Sequence, residues 1–329
     1  MERRTLLKAL AAGAALGMTG NVLADEKFPT RPIRIVVPYP PGGVTDLAGR
    51  VVGDALSKKY GQAVIIENKP GANALIGQQM VAASKADGYT LMVGGLGSQV
   101  LPPATIRNLP LDVPNRFIPI AQVAEFVNVL VVKGDSPLNS VADLVKHAKS
   151  SSKEISYGTN GVGTSSHLTT EYFGMKAGIK MLHVPYKGSS DAQIDVAGGL
   201  VDFCFANLPA VTAMVAQGKL KVLAVTSAKR VKQYPDVPTM IEAGVPDFNV
   251  TSWLGIYGPS GMPQPVVDQL SRDIVEALGQ EEYRAKLEKV NFQVEPMGSA
   301  DWDRFNKAEL ARWTDIAKKA GIGTDFGKS

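Results

Sequence analysis

The sequence predicts an α/β protein of two domains, joined by two chain crossings and separated by a cleft. Three observations predict it. From residue 30 onward short β-rich runs alternate with longer helical patterns, the signature of a parallel sheet covered by helices. A second alternating series starts near Asn128. The C-terminal part is mostly helical and lacks a sheet of its own, so it is expected to pack on the first series.

In the first series "IRIVVPY" reads as a buried strand and "TDLAGRVVGDALSKKYG" as a helix closed by Gly61. "QAVIIEN" follows as a strand, "ALIGQQMVAASKADG" as a helix and "YTLMVGG" as a strand. The second series begins with the strand "VNVLVVKG" and a helix from Ser140, which forms a capping box with Asp143. Then come "EISYGTN" (strand), "SSHLTTEYFGMKAG" (helix), "MLHVPYKG" (strand) and "SDAQIDVAGG" (helix). "LVDFCFAN" (strand), "PAVTAMVAQG" (helix) and "LKVLAVTS" (strand) complete it. "YPDVPTMIEAGVPDF" reads as a loop with a short helix, and "NVTSWLGIYGPSGMP" as a strand returning to the first series. "PVVDQLSRDIVEALG", "EEYRAKLEKV" and "DWDRFNKAELARWTDIAKKAG" are the C-terminal helices. Residues 25–125 with 249–329 thus form one domain and 126–248 the other, with crossings near Glu125 and Asn249. Clefts between domains are where small ligands usually bind. Trp253, just past the second crossing, is placed to sense closure of this one.

Composition bounds the function. The chain has 329 residues, 45% hydrophobic and 20% charged, which suits a soluble globular protein with two ordinary cores. Formal net charge is +4, with Lys and Arg scattered along helices, so no basic block points to nucleic acid. Cys204 is the single cysteine and reads as a buried, inert thiol, which excludes an intrachain disulfide or a cysteine metal site. The three histidines, His147, His167 and His183, lack metal-ligand spacing, and no cofactor is expected.

The first 24 residues have a basic start, an apolar middle from Leu10 to Met18 and a small-residue end at Val22 and Ala24. That is an export signal cleaved before Asp25, with "RRTLLK" in the style of a twin-arginine leader and an ordinary secretory leader as the alternative. Either route places the protein in the periplasm.

Enzyme signatures fail one by one. "GVGTSS" starts like a dinucleotide loop but has Ser166 where a glycine is needed, and "GTDFGKS" is one residue short of a phosphate loop. There is no G-x-S-x-G elbow. Ser165 and Ser166 beside His167 suggest a secreted hydrolase, but neighbours at a helix start rarely face each other. The chain is therefore read as a non-enzyme.

Two loops remain, "VPYPPGGVTD" (Val37 to Asp46) and "YGTNGVGTSSH" (Tyr157 to His167). Each joins a buried strand to a helix, at the sheet edge where open α/β folds collect ligands. The first N–H groups of a helix have no internal partner, and the helix dipole adds positive potential there. Gly42, Gly43, Gly161 and Gly163 let the backbone approach a ligand, and Thr45, Thr164 and Ser165 add hydroxyls. A single such loop would read as a turn with a Ser or Thr cap. Two of them, on two predicted domains, read as a seat for a small anion. Neither holds Lys or Arg, which suits a carboxylate better than a polyphosphate.

Across nearly all of the chain past the leader, the sequence resembles the solute-binding proteins of tripartite tricarboxylate transporters, the Bug-type periplasmic receptors. The resemblance is carried by "VPYPPGGVTD", "IENKPGANALIG", "ADGYTLMVG", "GVGTSSHLTTEYF", "HVPYKGSSDA", "PDVPTMIEAG", "SWLGIYGPSGMP" and "WTDIAKKAGI". It implies a periplasmic-binding-protein-like fold, a monomer that closes by a hinge around a small carboxylate, and membrane transporter subunits as partners. A carboxylate sensor docking on a signalling protein is the competing reading. The resemblance implies ligand contacts from Tyr39, Gly42, Gly43, Thr45 and Asp46 in the first loop and from Gly161, Gly163, Thr164, Ser165 and His167 in the second. Asp202 at the cleft edge, and Ala72 and Asn73 from "KPGANA", are further implied contacts. Asp46, when ionised, repels a carboxylate, so it either orients loop N–H groups or pairs a ligand amine. "GGLGSQVLPPATIRNLPLDVPNR" departs from the family pattern, leaving the choice among amino acids, aromatic acids and di- or tricarboxylates open.

Overall fold

The computed structural model describes residues 28–326 except 73 and 187. The leader, residues 1–24, and Asn73 lie outside the described residues. Strand β1 (Ile33–Val37) leads to helix α1 (Val44–Tyr60), β2 (Val64–Asn68) to α2 (Leu75–Ala82), and β3 (Thr90–Gly95) follows. Helix α1 shows why the local reading holds. Ala48, Val51, Val52, Ala55 and Leu56 repeat on one buried face, and Lys58 and Lys59 occupy the last turn. Gly61 then stops the helix in the left-handed region (φ 65°), its N–H on the Ser57 carbonyl at 3.0 Å.

The segment after β3 is a π-helical turn (Leu96–Val100), a short helix α3 (Leu101–Thr105), β4 (Ile106–Arg107) and α4 (Val113–Arg116). Strand β5 spans Phe117–Lys133. The second series supplies α5 (Val141–Ser150), β6 (Ile155–Thr159), α6 (Ser165–Ala177), β7 (Met181–Pro185) and α7 (Ser189–Gly198). It ends with β8 (Phe203–Asn207), α8 (Leu208–Ala216) and β9 (Leu220–Val225). The chain returns through β10 (Thr251–Pro259), α9 (Gln264–Leu278), α10 (Glu281–Glu288), α11 (Ser299–Lys319) and β11 (Thr324–Asp325). No helix among the described residues is long and apolar enough to cross a membrane.

Two readings need correction. The strand read from Val127 starts earlier: β5 begins at Phe117 and runs through Glu125, at the expected first crossing, without a break. Pro119 and Gln122 hid the strand in the sequence; Gln122 is buried, with its amide on Glu125 at 2.8 Å. The short helix expected near residue 240 is a single turn. Thr239 and Glu242 cap each other reciprocally, as at a helix start, but Gly244 (φ 92°) ends it at once.

Strand directions place the site. The main sheet has the order β2-β1-β3-β10-β5-β8-β6-β7, with β9 also on β5. Strand β3 is parallel to β1 and antiparallel to β10, which is antiparallel to β5, so β1 and β5 run the same way. Strand β6 is parallel to β8, which is antiparallel to β5, so β6 runs against β5. The carboxyl ends of β1 and β6 therefore point toward each other across the middle of β5. The two glycine-rich loops lie at those ends.

The middle of β5 is pinned where both crossings meet. Thr226 is wholly buried, and its hydroxyl accepts the Asn128 N–H at 3.1 Å while facing the carbonyls of Asn128 and Val250 as donor. As expected, the C-terminal helices cover the first half of the sheet: α9 and α10 pack on α1, and α11 packs on β5. Helix α11 also grips the second crossing. Arg312 donates to the Asn249 carbonyl at 2.6 Å, and buried Glu309 accepts from the indoles of Trp253 and Trp313. Trp253 is thus 1% exposed within this core, packed edge-on against Trp302 at 4.9 Å.

Thr226→Val keeps the side-chain shape and removes the hydroxyl, leaving the Asn128 N–H without its acceptor. Chemical denaturation is expected to show a loss of about 1–3 kcal/mol, and an unchanged midpoint and slope would mean the crossing does not depend on this hydroxyl.

Candidate ligand-binding site

The two loops have the same construction. In the first, Gly42 takes a left-handed φ of 84° and Gly43 is the extended N-cap of α1. In the second, Gly163 (φ 74°) precedes Thr164, the extended N-cap of α6. The Gly42 N–H donates to Asp46 Oδ2 at 2.9 Å, and the Gly163 N–H donates to His167 Nδ1 at 3.1 Å. Each loop is therefore tied to its own helix by a glycine N–H reaching a side chain four residues on. Gly43 has no side chain to cap its helix, and the Thr164 side chain does not cap its own. The first backbone bonds run from Leu47 to Gly43 and from Leu168 to Thr164, so the N–H groups of each first turn have no intrahelical partner.

The side chains divide into those that shape the loops and those that are free. Asp46, 3% exposed, also accepts from Arg50 Nε at 2.9 Å and from Asn68 Nδ2 at 3.0 Å. Burial alone would raise its pKa, but the bonds from Arg50, Gly42 and Asn68 together hold it below the ordinary carboxylate range. Of its two readings, the structure has Asp46 orienting the loop. Thr164 donates to the Gly161 carbonyl at 2.7 Å, Ser166 to Asn160 Oδ1 at 2.6 Å, and the Gly161 N–H to Thr159 Oγ1 at 3.2 Å. The hydroxyls of Thr45 and Ser165 have no protein partner among the described residues. Neither Ser165 nor Ser166 bonds His167, so the serine–histidine pairing needed for nucleophilic catalysis is not formed.

His167 belongs to a polar stack. Its ring lies 3.9 Å from His183, nearly parallel, and His183 packs on Tyr157 at 5.0 Å. His183 Nε2 meets Thr159 Oγ1 at 2.6 Å, and the Tyr157 hydroxyl donates to Glu171. Burial first, and the His183 ring second, lower the His167 pKa to about 4. The ring is thus neutral near pH 7, its Nδ1 an acceptor for Gly163 and its proton on Nε2.

Other expected residues are placed differently. Tyr39 is half-buried, and burial pushes its hydroxyl up against a bond to Ser98. Ala72 has a left-handed φ of 46° in the turn before α2. Asp202 lies apart from the loops. It caps the amino-terminal end of β6, accepting the Ser156 N–H at 2.7 Å and the Ser156 hydroxyl at 2.6 Å. The parallel register of β6 and β8, Tyr157 opposite Phe203, puts it at the far end of the sheet from Gly161.

The sequence reading missed two contributions. The segment from Gly97 to Thr105 reaches both loops: a Cβ on Gly97 would lie 3.6 Å from the Tyr39 hydroxyl, and one on Gly163 would lie 3.1 Å from Thr105 Oγ1. Its departure from the family pattern was the available signal. Beside the second loop a pocket of about 30 Å³ is lined by Asn160, Ser165, Ser189, Gln193 and Asn207 among others. It adds the entries of α7 and α8 to that of α6. No group of three or more His, Cys, Asp or Glu suited to a metal lies among the described residues.

The family described as "Tripartite tricarboxylate transporter family receptor" matches residues 48–322. Protein BugT of Bordetella pertussis is 33% identical over 312 residues, 94% of each chain. Among solved structures, Rpa4515 of R. palustris with adipate has 36% identity and a TM-score of 0.79, covering 90% of this chain and 99% of that one. The periplasmic binding protein BugD has 32% identity and a TM-score of 0.74 at the same coverages. MatC of Rhodopseudomonas palustris with bound malate has 27% identity and a TM-score of 0.73, covering 88% of this chain and 99% of that one.

The neutral His167 carries a pH signature. Unfolded, it binds a proton below about pH 6.5; folded, only below about 4. Between these values the unfolded chain holds more protons, so stability falls as pH drops through the window and levels off below it. The expected contribution is on the order of 2–3 kcal/mol, read by denaturant titration at pH 7, 5.5 and 4.5. His167→Gln keeps an acceptor for Gly163 without titrating and should flatten this slope. Parallel slopes in both proteins would place the effect elsewhere.

Proposed function

The chain belongs to the tripartite tricarboxylate transporter receptor family, and on that premise we propose that it is a periplasmic receptor that captures a small carboxylate for a tripartite tricarboxylate-type membrane transporter. The observation that carries this reading is the pair of matched loops. Two helix entries, aimed toward each other across β5, present N–H groups that no N-cap side chain occupies. The ligand contacts are the first-turn N–H groups after Gly43 and Thr164 with the hydroxyls of Thr45 and Ser165. Gly42, Asp46, Gly161, Gly163 and His167 hold the loops in shape.

The energetics suit a carboxylate. A hydrogen bond to a charged acceptor contributes roughly 1.5–3 kcal/mol net. Several of them, less desolvation and ordering, give about −8 kcal/mol, a micromolar dissociation constant. The cation near the first loop, Arg50, is engaged by Asp46 and leaves the helix dipoles as the attraction for the anion. Relatives solved with adipate and malate support the ligand class. The leader and the periplasmic relative BugD support export, with the mature chain starting at Asp25.

Residues 25–125 with 249–329, and 126–248, act in this reading as two domains that close over the ligand. The rotation is absorbed in the middle of β5 and beside Thr226, where the crossings meet. Small-angle scattering is expected to show a smaller radius of gyration with saturating ligand, and an unchanged radius counts against closure.

Calorimetry tests the site itself. Replacing the ligand carboxylate by a primary amide removes the charge and turns a donor toward N–H groups. Affinity is expected to fall by about 2–3 kcal/mol, some thirtyfold or more. Gly43→Val should do similar harm by adding bulk at the helix entry, where the nearest protein atom to the new Cβ would be 3.9 Å away and the fold itself is not crowded. Thr164→Ala should cost about 1 kcal/mol by freeing the Gly161 carbonyl. Equal affinity for carboxylate and amide would reduce both loops to turns.

A further inference from the structure

Away from the two loops, the second half of the molecule carries a groove that the anion seat does not use. It lies between α5, the end of α6 and the turn at residues 243–245, and has a volume of about 660 Å³. Val141, Val145, Ala177, Ala243 and Val245 make an apolar trough, and Lys146, Lys149 and Lys176 stand along it. No Asp or Glu is among the lining residues. Met175 and Ile241, each within two residues of a lining residue, add exposed apolar surface next to it. The helix dipole accounts for two of the cations. Lys149 and Lys176 occupy the last turns of α5 and α6, where the carbonyl ends favour positive charge. It accounts neither for Lys146, one turn earlier, nor for the trough between the lysines. Lys176 reaches Asp247 at 3.5 Å, but Lys146 and Lys149 form no ion pair among the described residues. The acid on α5, Asp143, is engaged elsewhere, accepting the Asn139 N–H at 3.0 Å.

A groove of this kind selects a partner by shape and sign together. The trough takes apolar side chains, while lysines with no acid lining the groove attract negative charge and repel a cationic surface. That combination suits one face of an acidic, amphipathic segment. Placement separates the groove from ligand capture. Helix α6 opens at the second loop and ends in the groove, so about 18 Å of helix lies between them. Every wall falls within residues 126–248, so one proposed domain carries the groove whole through closure. Resting on the transporter-receptor reading above, we infer that this groove docks the protein on its membrane transporter by seating an acidic, amphipathic segment of a transporter subunit. Apolar side chains of that segment fill the trough, and its carboxylates meet Lys146 and Lys149. Burial in the trough holds the complex, and the lysines set its rate of formation and its salt dependence.

The test titrates inner-membrane vesicles of the source organism, with and without the transporter's membrane subunits, with labelled exported protein in the presence of malate and adipate. The wild type is expected to bind subunit-containing vesicles saturably, and more weakly as salt rises. Lys146→Glu with Lys149→Glu should weaken this binding about tenfold or more, and Lys146→Arg with Lys149→Arg should keep it within about threefold. Val145→Asp should weaken it from inside the trough. Thermal melting establishes folding of each variant, and the charge reversal, at two exposed lysines, carries the test if Val145→Asp unfolds. Carboxylate affinity, read by calorimetry, should be unchanged in all of them. A photo-crosslinker placed at exposed Ala142 should capture an acidic segment of a membrane subunit. Capture of phospholipid or of a second copy of this chain overturns the inference. So does vesicle binding that survives charge reversal, persists without the subunits or is absent in the wild type. Each of these leaves the carboxylate receptor standing, whereas a wild-type protein that binds no carboxylate overturns that reading instead.

Discussion

A strand shared by two half-sheets fixes the direction of its neighbours on both sides, and the geometry of this protein follows from that constraint. Strand β5 pairs β10 along its first half and β8 and β9 along its second. Because β1 runs with β5 and β6 runs against it, both parallel arms end at the middle of one strand. A loop-to-helix turn at each end then faces its counterpart without a dedicated scaffold. The same middle is where the chain crosses back, and Thr226 closes the two crossings with one buried hydroxyl. Helix α11 adds a grip from outside, through Arg312 on the Asn249 carbonyl and Glu309 on Trp253.

The two loops solve one problem with different chemistry. A left-handed glycine before a helix has an N–H that would otherwise compete for the ligand or remain unpaired. Here a side chain in the first helical turn takes it, Asp46 in one loop and His167 in the other. That keeps the loop rigid and leaves the helix's own first N–H groups open. The charge of Asp46 is met by Arg50, and His167 is neutral by burial, so neither opposes an anion strongly. In the proposed reading this rigid preorganisation lets two loops that contain no Lys or Arg hold a carboxylate.

Such a site is general in its first contact and selective in its second. In the proposed reading the matched loops recognise a carboxylate through backbone groups that any receptor of this build would present. In that reading discrimination falls to what surrounds them, the segment from Gly97 to Thr105 against both loops.

The sequence by itself determined the helices and strands whose signals are local. Helix α1 was legible from its apolar repeat and Gly61, and the two loops from glycines and hydroxyls set between a β-rich run and a helix. Those features depend on residues within a few positions of one another. Tertiary structure decided the rest, for reasons of register and burial. Strand β5 was hidden at Pro119 and Gln122 because only its pairing with β10 and the bond to Glu125 make those residues acceptable in a buried strand. Asp202 falls at the wrong end of the sheet because β6 and β8 are parallel, and direction between non-adjacent strands leaves no local trace. The short helix read in "YPDVPTMIEAGVPDF" is one turn, capped by Thr239 and Glu242 and ended by Gly244. The helix entries that meet beside the second loop likewise converge only once the chain has folded.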